Sequence, residues 1–251
     1  MRFPLLLLAS SFFLMLLSTR IGLLLRRRRS NREEEARHDL DLIVAAVLTL
    51  LGLIIGFSFS MATNRYDLRK NHEEAEANAI GTEYVRADFL PATEASKVRA
   101  LLKEYLHERI LFYESRDERE LQQVHARTIQ LQSELWSAVQ VSASAQQTPV
   151  MNLVVSGMND VLNSQGYTQA GWWNRIPEGA WLLMGAVAIF SNVLVGYNTL
   201  SAGKGIIRLL ALPLVVSIAL FLIADIDSPS RGIIRVRPQN LISLAQSIHP
   251  N

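Results

Sequence analysis

Four long apolar runs restrict this chain to folds that a lipid bilayer can hold. The runs cover Phe3 to Leu25, Leu42 to Met61, Ala180 to Val195 and Ile206 to Ala224. A helix needs about 20 apolar residues to cross the hydrocarbon core, and the last three runs approach or reach that length. Only Arg20 interrupts the first run, near its end, where a long side chain can extend its charged group to the interface. We predict four transmembrane helices, at about 3–25, 40–62, 179–199 and 206–224.

The first run is predicted to be an uncleaved anchor. It contains no pair of small residues suited to signal-peptide cleavage, and Arg26 to Arg29 follow it directly. Dense positive charge at that position is not typical of a secretory signal.

The positions of the runs predict an all-α integral membrane protein in four segments. These are a transmembrane hairpin at 1–62, a helical extramembrane domain at 63–178, a second hairpin at 179–226 and a C-terminal tail at 227–251. The mean hydropathy of +0.17 is high for a soluble domain. We therefore expect a multi-pass protein of the bacterial inner membrane, with the bilayer as a partner.

The spacing of apolar residues in the extramembrane domain predicts four helices. They cover His72 to Leu90 with a stop at Pro91, a segment that starts near Thr93 and includes Phe112, Arg116 to about Ser144, and Met151 to between Asn163 and Gly166. Trp172 and Trp173 follow, and paired tryptophans just before a span favour the lipid interface.

The third of these helices carries a heptad pattern. Its members are Leu121, Val124, Thr128, Leu131, Leu135 and Ala138, and Ile129 and Trp136 are expected to widen the stripe. Packing inside a helical bundle is the favoured interpretation. An intermolecular coiled coil is the alternative.

Charge is unevenly distributed along the chain. Residues 63–178 carry 12 basic and 16 acidic side chains, whereas residues 26–38 carry six arginines and three glutamates. The arginine-rich loop predicts contact with anionic lipid head groups. If that loop is cytoplasmic, residues 63–178 lie outside the cytoplasm.

Residues for catalysis or metal binding are not grouped in the sequence. Cysteine is absent and the five histidines are scattered. His72 and Glu76 lie four apart, beside Glu73 and Glu74, but a solvated or salt-bridged helix start is favoured over a metal site. Gly203 and Gly205 lack the rest of a phosphate-loop pattern. We expect no enzyme activity, no metal, no cofactor and no nucleic-acid partner.

The end of the second span predicts a functional surface. Helical spacing puts Thr49, Leu53, Phe57 and Ser60 on one stripe and Met61 on a neighbouring one. Four spans are too few to surround an aqueous path, so a pore needs several copies of the chain. The alternative is that the small residues Gly56, Ser58, Ser60 and Ala62 allow close helix packing.

Three motifs resemble those of a known family. Gly56, Phe57, Arg65 and Tyr66 are similar to a pattern in the second membrane helix of bestrophin anion channels. Two longer segments resemble signature strings of the bacterial bestrophin-like family of unknown function. They read EANAIGTEYVRADFLP from Glu76 to Pro91 and DIDSPSRGIIRV from Asp225 to Val236.

The resemblance implies a helical subunit of a pentamer, with the second span around a central pore and the large helical domain in the cytoplasm. That orientation is opposite to the one that the arginine-rich loop favours, so the sequence leaves both open. Phe57 matches a pore-narrowing aromatic position, while Leu53 and Thr49, at the two positions before it, depart from the family pattern. The resemblance also marks residues at the base of the second span and in coupling elements: Arg65, Tyr66, Glu76, Asp225, Asp227 and Arg231. From the residues themselves, Asp225 and Asp227 are expected to pair with Arg231 or Arg235.

Two functions remain open from the sequence. The first is a homo-oligomeric channel that passes anions such as chloride, or small solutes, through a pore lined by the second span. The second is a non-conducting membrane scaffold or sensor whose helical domain binds a protein partner.

Overall fold

The protein is described by a computed structural model over residues 4–27, 35–145, 147–199 and 206–248. The α-helices in these ranges are α1 Pro4–Arg27, α2 Glu35–Arg86, α3 Ala92–Glu114, α4 Glu118–Ala145, α5 Pro149–Trp173, α6 Glu178–Asn198, α7 Ile206–Ile226 and α8 Gln239–Ile248. A short 3₁₀ turn at Ala87–Phe89 follows α2. Because the described ranges contain helices and no strand, the all-α prediction is confirmed.

Among the described residues, four helical stretches are long and apolar enough to cross a membrane, as predicted. They are Leu5–Arg26, Asp39–Phe89, Pro149–Asn198 and Leu209–Ile226, and each overlaps one of the apolar runs. The chain is therefore a membrane protein.

The helices form two compact units. Unit 1 comprises Met1–Asn64 and Arg175–Ile234, and unit 2 comprises Arg65–Asn174 and Arg235–Asn251.

In unit 1, α1 packs against α6 and α7. The backbones of α1 and α6 touch at two glycines. A Cβ built at Gly22 would overlap the carbonyl oxygen of Val193, and one built at Gly196 would overlap that of Thr19. Small residues let membrane helices approach to this distance and gain dispersion contacts along both backbones.

A buried polar contact joins the same two helices. The Thr19 hydroxyl lies 3.3 Å from Asn192 Oδ1, and Asn192 Nδ2 donates to the carbonyl oxygen of Ala188 at 2.8 Å. Asn192 is fully buried, so an apolar partner in place of Thr19 would leave its amide oxygen short of a donor.

Unit 2 is a helical bundle with one hydrophobic core. Helix α3 packs on α4 and α8, and α4 packs on α5. The core includes Ile80, Leu102, Tyr105, Leu131, Leu135, Val154 and Met158.

The heptad residues of α4 are used inside this bundle. Val124, Thr128, Leu131, Leu135 and Ala138 are buried in unit 2. Packing within the bundle is confirmed, and the coiled-coil alternative is wrong for this stripe. Ile129 and Trp136 do not widen it, because both side chains are exposed.

Helix α2 runs without a break from the apolar run into unit 2, so the separate helix predicted from His72 is wrong. The 52-residue helix continues because residues 57–80 contain neither glycine nor proline. It ends at Arg86, five residues before Pro91.

Two other predicted boundaries differ from the structure. Helix α3 begins at Ala92, and Pro91 in place of Thr93 occupies its N-cap position. Helix α5 continues through Gly166 to Trp173, since one glycine costs only about 1 kcal/mol in a helix. Trp172 is partly buried and packs against the core of unit 2, with its ring centroid 4.4 Å from that of Phe112, whereas Trp173 is exposed. The place of the pair at the lipid interface stays a prediction.

The glycine contact predicts unequal effects of two alanine substitutions in α6. Gly196→Ala should lower the stability of unit 1 by about 1–3 kcal/mol, because the added methyl overlaps backbone that has little room to move. Gly185→Ala on the same helix should be neutral or stabilising, since nothing lies within 4 Å of the added Cβ. Thermal unfolding in detergent, followed by tryptophan fluorescence, measures both. Equal midpoints for the two variants would contradict the packing of α1 on α6.

Candidate functional site

Within unit 1, helix α2 has a buried side and an exposed side. Val44, Leu51, Ser58 and Ala62 are buried. The predicted pore-lining residues are all on the exposed side: Thr49, Leu53, Phe57, Ser60 and Met61. Phe57 is 63% exposed and Leu53 is 53% exposed. Within the described part of the single chain, no other helix therefore covers this side of α2.

Two glycines lie along the same exposed stripe. A Cβ added at Gly52 or Gly56 would meet no atom within 4 Å. The small residues near the end of the span thus divide between two sides, because Gly56 and Ser60 are exposed whereas Ser58 and Ala62 are buried. Close packing inside the chain accounts only for the buried pair.

The segment after α7 is held by two carboxylates that bind backbone. Asp225 accepts hydrogen bonds from the N–H groups of Ile233 and Ile234 at 2.8 and 2.7 Å. Both oxygens of Asp227 lie within 3.2 Å of the Ile176 N–H. Both acids thus accept hydrogen bonds from backbone N–H groups, which the sequence did not predict. The expected pairing of these acids with Arg231 or Arg235 stays a prediction. Arg231, in the same turn, is exposed.

Glycine is required within this turn. A Cβ at Gly232 would overlap the carbonyl oxygen of Asp225 and lie 2.8 Å from that of Ser228. The string from Asp225 to Gly232 is therefore a structural unit, in which the acids bind the backbone and the glycine allows it to close.

At the start of unit 2, Tyr66 packs against the hydrophobic core. Arg65 is partly buried, and its carbonyl oxygen accepts a hydrogen bond from Arg69 Nε at 3.1 Å. Tyr66 is therefore a packing residue of the bundle, whereas the bond to the Arg65 carbonyl lies within α2 itself.

Glu76 forms a buried ion pair with Arg109 of α3. Nε of Arg109 donates to Oε1 of Glu76, and Nη2 lies 3.4 Å from Oε2. The Thr168 hydroxyl donates to Glu76 Oε2 at 3.1 Å. The guanidinium also stacks 4.5 Å from the centroid of the Phe112 ring. Burial is the largest single influence and lowers the pKa of Arg109, but the charge and hydrogen bond of Glu76, together with Tyr105 and Tyr113, outweigh it, so the pKa lies above its ordinary value.

Glu73 caps another helix of unit 2. Its Oε1 accepts hydrogen bonds from the N–H groups of Asn240 and Leu241 at 2.9 and 3.0 Å, at the start of α8. Oε2 accepts a hydrogen bond from Asn240 Nδ2 at 2.6 Å. A carboxylate at a helix N-terminus satisfies free N–H groups and is attracted by the helix dipole.

The prediction of a solvated or salt-bridged helix start at His72 to Glu76 is wrong about the helix start and about solvation. The salt bridge that it allowed is present, between Glu76 and Arg109. Residues His72 to Glu76 lie in the middle of α2, and Glu73 and Glu76 are buried. His72 stacks on Tyr167, with ring centroids 6.3 Å apart. Burial lowers the pKa of His72, while Glu76 acts in the opposite direction. Across the described residues, no three His, Cys, Asp or Glu side chains are grouped to hold a metal ion.

Comparison with known proteins assigns the family. A family model described as the bestrophin-like domain matches residues 12–241. The chain belongs to the bestrophin-like family. Curated protein sequences contain no significant match to the chain.

Solved structures of bacterial bestrophin homologues share the fold of this chain. One is a point variant of a bacterial bestrophin homologue from Klebsiella pneumoniae, which is 11% identical, with a TM-score of 0.66 over 96% of this chain and 97% of that one. Another structure of the Klebsiella homologue is 12% identical and has a TM-score of 0.65 over 96% and 95% of the two chains. A structure described as a membrane protein variant has a TM-score of 0.67 and is 11% identical, and the match covers 96% of both chains.

The buried ion pair predicts a large difference between two arginine substitutions. Arg109→Met should lower the free energy of unfolding by about 3–5 kcal/mol, because Glu76 would stay buried without its partner. Arg127→Met should have little effect, since Arg127 and its partners Glu104 and Glu134 are partly exposed. Chemical unfolding in detergent measures the difference.

A double variant tests whether burial of the lone charge is the cause. Glu76→Leu combined with Arg109→Met removes both charges and should recover most of the lost stability. A double variant as unstable as Arg109→Met would contradict this explanation.

Proposed function

We propose that the protein is a homo-oligomeric membrane channel whose pore is lined by the exposed stripe of α2. The observation that carries this proposal is that Thr49, Leu53, Phe57 and Ser60 face away from the rest of unit 1. Membership of the bestrophin-like family and the shared fold support a channel-type function.

Several copies of the chain are needed to enclose a path for ions. Each copy offers four candidate spans, and the exposed side of α2 combines hydroxyl, glycine and aromatic residues. In a ring of copies, one α2 from each would face the axis, and the resemblance to bestrophins favours five. The remaining exposed apolar side chains of unit 1 would contact lipid in the inner membrane.

The chemistry of the stripe suits a narrow, weakly binding pore. Phe57 and Leu53 repeated around an axis would form a hydrophobic constriction of the kind that opens and closes by wetting. The edge of a phenylalanine ring carries partial positive charge and tolerates a passing anion. Ser60 and Thr49 supply hydroxyls on either side of this constriction. Chloride and similar small anions are the proposed permeant species.

The scaffold alternative rests on two features, the heptad pattern and the polar helical domain, and it loses the first of them. The heptad residues of α4 are buried within unit 2 and cannot form a coiled coil with a partner without unfolding the bundle.

Phe57→Ala should raise halide efflux from liposomes severalfold, because it widens and wets the constriction. Phe190→Ala is the matched control. Phe190 is also an exposed phenylalanine of unit 1 but lies on α6, so the control should leave the flux unchanged. Purified protein that passes neither chloride nor nitrate, with or without Phe57→Ala, would count against the channel.

The mass of the assembly provides a separate test. Light scattering of the detergent-solubilised protein, corrected for bound detergent, should give a multiple of 28.1 kDa large enough for a ring, with five copies expected. A monomer or dimer in native lipid nanodiscs would contradict the proposed pore.

A further inference from the structure

Helix α2 carries a third buried glutamate in unit 2, and this one has no hydrogen-bond donor. Glu83 is fully buried, and both of its carboxyl oxygens lack a hydrogen-bond partner within the described part of the chain. Glu73 and Glu76, on the same helix, have three and two donor groups respectively. Burial without donors strongly disfavours the ionised form of a carboxyl group.

The carboxyl group of Glu83 lies against the backbone of α5. A Cβ built at Gly157 would overlap Glu83 Oε2 and Arg86 Nη1. One turn earlier in α5, the carbonyl oxygen of Leu153 accepts a hydrogen bond from Arg86 Nη1 at 3.3 Å. The end of α2 is thus packed directly on α5, and Glu83 lies at the contact.

Two charged groups act on Glu83 in opposite directions. Arg86, on its own helix, attracts the ionised form, and Asp160, on α5, repels it. Burial is the largest effect, and together these influences raise the pKa of Glu83 to about 8. Glu83 lies more than 20 residues beyond the apolar run of α2, in the extramembrane unit.

We propose that Glu83 is a proton-controlled latch that holds the end of α2 on α5 when its carboxyl group is neutral and releases it when the group ionises. Since the folded chain binds this proton more tightly than the unfolded chain, the stabilisation is complete at pH values below the ordinary pKa of 4.5. It is lost progressively as the pH rises to about 8. The latch concerns packing within unit 2 and does not depend on whether the protein conducts ions.

Hydrogen exchange of the full-length protein in nanodiscs tests the latch. Amides near Glu83 in α2 and near Gly157 in α5 should open at least about tenfold more often at about pH 9.5 than at about pH 6.5, after correction for the intrinsic rate at each pH. Glu83→Gln keeps the shape of the side chain but cannot ionise, so its corrected opening should be the same at both pH values. Glu74→Gln, at an exposed position of the same helix, should keep the wild-type response.

Substitution of Gly157 tests the contact between Glu83 and α5 directly. Gly157→Ala should push Glu83 away from α5 and make opening fast at both pH values, independently of ionisation. Wild-type protein with no change in corrected exchange between these pH values would overturn the proposal. A Glu83→Gln variant with the same pH response as wild type would overturn it as well. Neither result bears on the flux through the proposed pore.

Discussion

Helix α2 has a buried side and an exposed side along most of its length, and the two sides require different residues. An α-helix advances about 100° per residue, so residues three, four and seven apart share a side. In unit 1 the buried side carries Leu51 and Ser58, and the exposed side carries Phe57. In unit 2 the buried side carries three glutamates. The helix can hold buried packing residues and an exposed stripe together because its sequence separates them by angle around the helix axis rather than by position along the chain.

The buried glutamates of α2 show how donors determine the state of a carboxyl group in an apolar interior. Glu73 receives the free N–H groups at the start of α8, and Glu76 receives a guanidinium and a hydroxyl. In both cases these donors replace the water that the carboxyl group loses on burial. Glu83 has the same covalent structure and similar burial but no such donors, and its pKa rises to about 8. Equivalent side chains thus acquire different chemistry from their tertiary neighbours.

Features set by local sequence could be predicted, and features set by distant contacts could not. The membrane helices follow from runs of apolar residues, and the family follows from strings such as that at Asp225 to Val236. The run of acids at Glu73, Glu74 and Glu76 has the composition of a solvated surface. The burial of Glu73 and Glu76 could not be predicted, because the groups that donate hydrogen bonds to them lie on α3, α5 and α8. The packing of Trp172 on Phe112 could not be predicted for the same reason, since Phe112 lies 60 residues away in the sequence. The exposed stripe of α2 was predicted from helical spacing, and its role as a pore stays a prediction.

The capping of α8 by Glu73 has a consequence for the order of folding during synthesis. Asn240, which donates to Glu73, is translated 167 residues later. Until then the carboxylate of Glu73 lacks these donors and is hydrated by water. Glu73 therefore cannot exchange this water for the N–H groups of α8 until α8 has left the ribosome, although α2 to α5 can already pack together.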